Sequence, residues 1–126
     1  MTVNEELEAL RSARPGCDLV GYADLGSGMV LTSVGRTTRA RELMDALAAE
    51  AVAMLDGASL PGILDLLSPG AEALDHAVAV SPDRAHVFVR SPVDPGEAIV
   101  AVCTPGTAFG PLIDEARALL HRFGTE

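Results

Sequence analysis

The sequence contains few aromatic residues and no lysine. Its 126 residues include one tyrosine, three phenylalanines and no tryptophan. Flat cofactors such as flavin or haem usually bind between aromatic walls, so this composition argues against such a site and we expect no cofactor. All nine basic residues are arginines. Without a lysine there is no G-x-x-x-x-G-K-[ST] loop, which excludes nucleotide hydrolysis by a P-loop.

Cysteine and long apolar runs are also scarce. Cys17 and Cys103 lie in different segments and form no C-x-x-C pair, so we expect two reduced, buried thiols and neither a redox motif nor a metal site. No 18 apolar residues follow one another, so no membrane span is predicted. The first ten residues, MTVNEELEAL, lack the basic and apolar regions of a secretory signal. These absences together predict a cytoplasmic protein.

Positive charge is the third shortage. The chain has 18 acidic residues, and its formal net charge is −9. A surface this acidic repels phosphate backbones and anionic lipids, so we expect neither nucleic acid nor membrane as a partner.

The length suits one domain, and 48% of the residues are apolar, which is enough for a core. We therefore predict a single domain spanning residues 1–126.

Apolar periodicity and turn residues predict eight elements in the order α-β-β-α-β-β-β-α. The helices are predicted at 3–13, 38–56 and from 107 onward, the strands at 17–24, 28–34, 75–81, 84–90 and 97–103, and one further helical turn at 63–67. Alternation in the second strand predicts that Val30, Thr32 and Val34 share one face. The predicted fold is α+β and profilin-like, with a five-stranded, mostly antiparallel sheet and helices on both faces.

The helix predicted at 38–56 is apolar over an unusually wide arc. Its apolar residues form two adjacent rows, Leu43, Leu47, Ala51 and Met54 in the first and Met44, Ala48, Val52 and Leu55 in the second. Such a helix either lies inside a core or packs against its own sheet on one side and a second chain on the other. In a small domain we favour the second arrangement. The sequence does not determine which row faces the second chain.

No pattern of catalytic or metal-binding residues is evident. His76 and His86 lie on adjacent predicted strands, but no third ligand has a fitting spacing, so no metal site is predicted. The run Gly26-Ser27-Gly28 lacks the third glycine of a dinucleotide loop, since position 31 is leucine, and it fits a hairpin turn better. No G-x-S-x-G elbow occurs. The chain is therefore predicted to be non-enzymatic, with no catalytic residue assigned.

Three arginines form a local cluster of positive charge in this acidic chain. Arg36, Arg39 and Arg41 flank the start of the long helix. Cations are slightly unfavourable at a helix N-terminus, so stability alone does not explain the cluster. One interpretation is a docking site for an acidic partner, and the other is an ordinary solvated loop with surface ion pairs.

The element order resembles that of the Roadblock/LC7 family, in particular its bacterial, MglB-like members. The resemblance rests on the short first helix closed by Pro15-Gly16, the hairpin GYADLGSGMVLTS, the helix ARELMDALAAEAVAMLDG and the three-strand unit ending in AIVAVC. It covers nearly the whole chain and lies in pattern and spacing. The hairpin turn at 24–28 is longer than the family's usual Asp-Gly turn, and the segment 57–74 is also long.

The resemblance implies a homodimer in which the long helices pair and the following strands join edge to edge. The interface expected on this basis comprises Leu43, Met44, Leu47, Ala51, Met54 and Leu55 of the helix, and Ala77 and Ala79 of the strand. It also implies regulation or scaffolding of a small Ras-like GTPase. The alternative is a small-molecule sensor with a PAS-like or profilin-like sheet, and an enzyme is the weakest of the three hypotheses.

Overall fold

A computed structural model describes residues 2–35, 40–55 and 75–125. The elements follow the predicted order. They are α1 (Val3–Ser12), β1 (Cys17–Asp24), β2 (Met29–Gly35), α2 (Ala40–Leu55), β3 (His76–Val80), β4 (Ala85–Arg90), β5 (Glu97–Cys103) and α3 (Phe109–Thr125). The last helix begins at Phe109 and not at Thr107, whose N–H bonds back to the carbonyl of Thr104 at 3.1 Å in a preceding turn. The helical turn predicted at 63–67 lies outside the described residues.

The five strands form one antiparallel sheet in the order β2-β1-β5-β4-β3. The predicted sheet is thereby confirmed. The central strand β5 is buried along nearly its whole length, as expected from its apolar residues on both faces. In the described part of the chain, β2 and β3 are the two edge strands.

Helices cover both faces of the sheet, and each face has its own core. On the first, here called the α1/α3 face, Leu7 of α1 and Leu112 of α3 pack on alternate residues of the central strands, among them Val20, Val87 and Ile99. On the opposite α2 face, Met44, Leu47, Ala51 and Leu55 pack on Leu19, Phe88, Val100 and Val102. Residues of β5 alternate between the two cores, so this strand joins them.

Local hydrogen bonds and one glycine define the start of α1 and two of the turns. The Thr2 side chain accepts a hydrogen bond from the backbone N–H of Glu5 at 3.2 Å, which caps α1. Gly28 has φ of +70°, a conformation that favours glycine, and it closes the β1–β2 hairpin. The N–H of Ser81 bonds to the carbonyl of Arg84 at 2.9 Å in the β3–β4 turn.

Two β-bulges shift the register of β1 against its neighbours, and one of them corrects a prediction. Thr32 pairs with Tyr22 and Val30 with Ala23, which leaves Leu31 as an extra residue in β2. Val30 therefore packs into the core of the α2 face, whereas Val34 packs into that of the α1/α3 face. The prediction that Val30 and Val34 share a face was wrong because the bulge interrupts the alternation.

A candidate interaction surface on the second edge strand and the long helix

The edge strand β3 has few of the features that usually protect a sheet edge. Its five residues, HAVAV, include no lysine, proline or carboxylate. Val80 is 61% exposed, and Val78 and Ala79 are half-buried. Among the described residues no strand pairs with this side of β3. Apolar sheet edges of this kind favour pairing with another strand.

The hydrogen-bond register shows which backbone groups of β3 point outward. Arg90 donates its N–H to the carbonyl of Asp75 at 2.8 Å, and Ser81 donates to Arg84 at 2.9 Å, which sets the alternation of the β3–β4 ladder. In an antiparallel pair every second residue bonds to its partner, so Ala77 and Ala79 bond to β4. The N–H and C=O groups of His76, Val78 and Val80 therefore point toward the open edge.

The long helix α2 buries one stripe against its own sheet. This stripe takes residues from both predicted rows, namely Met44, Leu47, Ala48, Ala51 and Leu55, and none of them is more than 2% exposed. Gly21 of β1 permits the close packing, because a Cβ at this position would lie 2.6 Å from the Met44 sulphur. Four of the six helix residues predicted at an interface thus pack within the single chain.

The remaining two predicted helix residues, Leu43 and Met54, are half-buried on one flank of α2. Glu50 lies on the same flank. Leu43 is seven positions before it and Met54 four positions after it, and residues at these spacings share one side of a helix. The Glu50 carboxylate contacts Nδ1 of His86 on β4 at 3.0 Å, and His86 pairs with Ala79 of β3. This flank therefore faces the β3 edge.

Together the β3 edge and the flank of α2 form one continuous region, which we call the β3/α2 surface. It consists of Leu43, Glu50 and Met54 from the helix, the Ala79 side chain on the same face of the sheet, and the outward backbone groups of β3. The Val78 side chain packs on the opposite, α1/α3 face. Next to it on the solvent side of α2, Ala46 and Ala49 are exposed and Ala53 is half-buried. Small side chains there let another backbone approach closely.

The two strand residues and the three arginines that were predicted at an interaction surface have different outcomes. Ala77 is 9% exposed and belongs to the core of the α2 face, whereas Ala79 is half-buried at the edge. Arg41 lies in the first turn of α2. Arg36 and Arg39 lie outside the described residues, so arginine docking stays a prediction.

The two histidines considered as metal ligands lie on opposite faces of the sheet. His76 is near Arg117 of α3, with 3.2 Å between Nδ1 and the guanidinium, whereas His86 contacts α2. Among the described residues no group of three or more His, Cys, Asp or Glu is arranged to hold a metal ion. His86 Nε2 is buried without a hydrogen-bond partner. If Nδ1 carries the ring proton and donates it to Glu50, Nε2 is an acceptor without a partner among the described residues.

Solved structures with similar architecture include Roadblock/LC7 domains and Mgl proteins. A Roadblock/LC7 domain from Streptomyces avermitilis superposes with a TM-score of 0.73 at 13% identity, covering 97% of this chain and 94% of that one. MglB from Myxococcus xanthus superposes with a TM-score of 0.70 at 15% identity, covering 97% of this chain and 91% of that one. This chain has the Roadblock/LC7 fold. The predicted resemblance is thereby confirmed at the level of fold.

Further similarities are consistent with this assignment. The gliding protein MglB from Thermus thermophilus superposes on the Roadblock/LC7-like chain with a TM-score of 0.70 at 15% identity, covering 96% of this chain and 84% of that one. The sequence itself matches no protein-family model and no curated protein. No helix within the described ranges is long and apolar enough to cross a membrane.

Proposed function

We propose that this Roadblock/LC7-like chain is a non-enzymatic interaction module that forms a homodimer through the β3/α2 surface. The observation that carries the proposal is the open, uncharged β3 edge beside a helix flank that still exposes Leu43 and Met54. Two copies related by a twofold axis place β3 against β3, because an antiparallel edge is self-complementary. The outward groups of His76, Val78 and Val80 then complete a ladder that continues through both sheets.

The width of the sheet supports a second chain on the α2 face. Five strands span roughly 20 Å between the outermost two, whereas a helix with its side chains is about 10 Å wide. Two helices cover the α1/α3 face, but in the described part of the chain α2 alone crosses the other one. A partner's α2 beside the first would remove Leu43 and Met54 from water.

The oligomeric state measured by light scattering tests the homodimer. We expect the wild-type chain to have twice the chain mass and Met54→Asp to have the monomer mass with an unchanged circular-dichroism spectrum. The matched control is Leu31→Asp, which changes a 60% exposed leucine at the opposite edge of the sheet and should leave the dimer intact. A monomeric wild type at the highest concentrations measured would refute the homodimer.

Two proline variants in β3 test strand pairing separately. Val78→Pro removes an outward N–H and leaves the ladder to β4 in place, so we expect a folded monomer. Ala79→Pro removes an N–H that bonds to β4, so we expect a loss of about 3 kcal/mol or more in the free energy of unfolding. If Val78→Pro remains dimeric, the copies do not pair through β3.

The proposed role of the dimer is to regulate or scaffold a small Ras-like GTPase, in keeping with the Roadblock/LC7 resemblance. Arg36, Arg39 and Arg41 are its proposed docking residues for an acidic surface of that partner. A triple Arg→Glu variant should bind a Ras-like GTPase of the same organism more weakly, in a salt-dependent way, and remain dimeric. Unchanged GTPase affinity and hydrolysis rate in the triple variant would remove this assignment and leave the homodimer untouched.

One observation favours the alternative of small-molecule sensing. A groove of about 740 Å³ lies between β2 and the start of α2, lined by residues 28–33 together with Met44 and Asp45. Its volume suits a small ligand. A ligand bound there should raise the melting temperature of wild type, and Met44→Ala should reduce the increase. The homodimer does not depend on this groove.

A further inference from the structure

The two cysteines, which the sequence places in unrelated segments, lie opposite each other in the sheet. Cys17 begins β1, Cys103 ends β5, and the two residues are register partners. Their sulphur atoms are 3.6 Å apart, and both residues are buried. The bulge at Asp18 produces this arrangement, because it turns the Cys17 side chain onto the α1/α3 face, where Cys103 also lies.

The backbone geometry suits a bond between these sulphurs. Thr104 donates its N–H to the carbonyl of Gly16 at 2.9 Å, so the neighbouring pair of Cys17 and Cys103 is of the non-hydrogen-bonded kind. Cα atoms in such pairs are about 4.5 Å apart, which lies within the range of about 4.4–6.8 Å found for disulfides. Side-chain rotation alone can bring the sulphurs to bonding distance.

Cys17 borders a small cavity, although both cysteines are almost fully buried. It lines a cavity of about 150 Å³ together with Arg11, Ser12, Arg14, Pro15 and Asp18, and Cys103 is not part of this lining. The cavity is too small for a peptide disulfide but has room for a hydroperoxide. The S–H of Cys103 donates to the sulphur of Cys17, which lowers the pKa of Cys17 despite its burial, and Arg11 adds to the effect. The same hydrogen bond, together with burial, raises the pKa of Cys103.

We propose that Cys17 and Cys103 form a peroxide-sensitive dithiol that closes to an intramolecular disulfide. In the first step the Cys17 thiolate attacks one oxygen of hydrogen peroxide, the O–O bond breaks, and Cys17 sulfenic acid and hydroxide form. In the second step the Cys103 sulphur attacks the Cys17 sulphur. The sulfenic hydroxyl of Cys17 takes up the proton of the Cys103 thiol and leaves as water. Both sulphurs are oxidised, and one peroxide is reduced to two molecules of water once the hydroxide is protonated.

The dithiol and the α2 flank of the β3/α2 surface lie on opposite faces of the sheet. Cys17 and Cys103 belong to the core of the α1/α3 face, whereas Leu43 and Met54 pack against that of the α2 face. Oxidation is therefore expected to leave self-association unchanged, and the thiol chemistry can be tested whether or not the chain dimerises.

Peroxide treatment of the reduced, folded protein tests the proposal, with alkylation of remaining thiols after denaturation and mass spectrometry as the readout. Wild type should lose both thiols to a disulfide within one chain. In Cys103→Ser, Cys17 sulfenic acid should accumulate and react with dimedone. In Cys17→Ser, oxidation of Cys103 should be about tenfold slower or more, since its thiol lacks thiolate character and access. Cys→Ala versions repeat the comparison where a buried serine hydroxyl disturbs the fold.

Arg11→Met separates a general effect of burial from the role of the cavity. This variant should slow formation of the Cys17 sulfenic acid in the Cys103→Ser background, whereas Arg117→Met, beside His76 of the edge strand β3, should not. The proposal is wrong if the folded wild type keeps both thiols at peroxide levels that oxidise the unfolded chain. It is equally wrong if both single variants react at the same rate, or if disulfides form only between chains.

Discussion

The two faces of the sheet are closed in different ways. On the α1/α3 face two helices pack side by side, and ion pairs of Arg14 with Glu115 and of Arg122 with Glu6 join them. On the α2 face one helix rich in alanine lies on the strands, and its flank leaves Leu43 and Met54 half-buried. Within the described residues, two helices therefore cover one face of the sheet and one helix covers the other.

This difference indicates how a small chain can combine stability with association. The α1/α3 face holds the larger apolar side chains of α3 and does not depend on a partner. The α2 face uses small residues, so a second backbone can approach the helix closely. Substitutions on the α2 face should therefore divide into those that break the fold and those that affect association only.

The largest effect is expected for Leu47→Asp. Leu47 is 1% exposed against the chain's own sheet, and an aspartate there would bury an unpaired charge. We expect a loss of more than about 4 kcal/mol in the free energy of unfolding, measured by urea denaturation. The control is Leu43→Asp, seven positions from Glu50 on the flank, which should remain folded and lose self-association. If Leu47→Asp were a folded monomer, the assignment of α2's buried stripe would be wrong.

A smaller effect is expected for Gly21→Val on the same face. The first added atom would lie 2.6 Å from the Met44 sulphur and 3.2 Å from Cγ2 of Val100, so either the Met44 side chain or α2 itself must shift. We expect a loss of about 1–3 kcal/mol, as for other overpacked cores. Gly106→Val is the control, since nothing lies within 4 Å of a Cβ there. Met44→Ala should recover part of the loss in the double variant; additive losses would contradict direct contact.

The smallest effect concerns Tyr22 on the α1/α3 face. Its ring centroid is 5.2 Å from that of Phe123, and its hydroxyl donates to Glu97. Burial, followed by the hydrogen bond to Glu97, raises the pKa of Tyr22 above its usual value. The folded chain thus holds its phenolic proton more tightly than the unfolded chain. The resulting stability is present below pH 10 or so and is lost as pH rises beyond it.

Tyr22→Phe should remove this alkaline component at a cost of about 1 kcal/mol at neutral pH from the lost hydrogen bond. Urea midpoints measured from neutral to strongly alkaline pH would show a steeper decline in wild type than in Tyr22→Phe. Because Tyr22 is the chain's single tyrosine, phenolate absorbance reports its titration directly. A titration at the ordinary tyrosine pKa would show that the buried environment has been misassigned.

Much of the fold could be predicted because local patterns determine it. The run AIVAVC, apolar on both faces, predicts the central strand, and the pairing of Thr2 with Glu5 predicts the start of α1. The buried stripe of α2 could not be chosen from the sequence, since alanines and leucines surround the helix and differ little in hydrophobicity. Its orientation depends on contacts with β1, in particular the space left by Gly21 for Met44.

The candidate sites were less predictable, for a related reason. The open β3 edge and its lack of charge could be inferred from HAVAV, and the flank residues Leu43 and Met54 were among those predicted. The cysteine pair was not found, because strict alternation from Val20 places Cys17 on the α2 face, away from Cys103. A bulge leaves no compositional signal at Asp18, so the pairing becomes visible only in the register.

The bulge at Leu31 has a consequence for comparing this chain with its structural relatives. In a relative without the extra residue, the two parts of β2 would keep a single alternation. An alignment of such a relative without a gap would equate residues from opposite cores on one side of the bulge. Relatives that lack the bulge should therefore be aligned from Gly28 and from Gly35 inward, with the gap placed at Leu31.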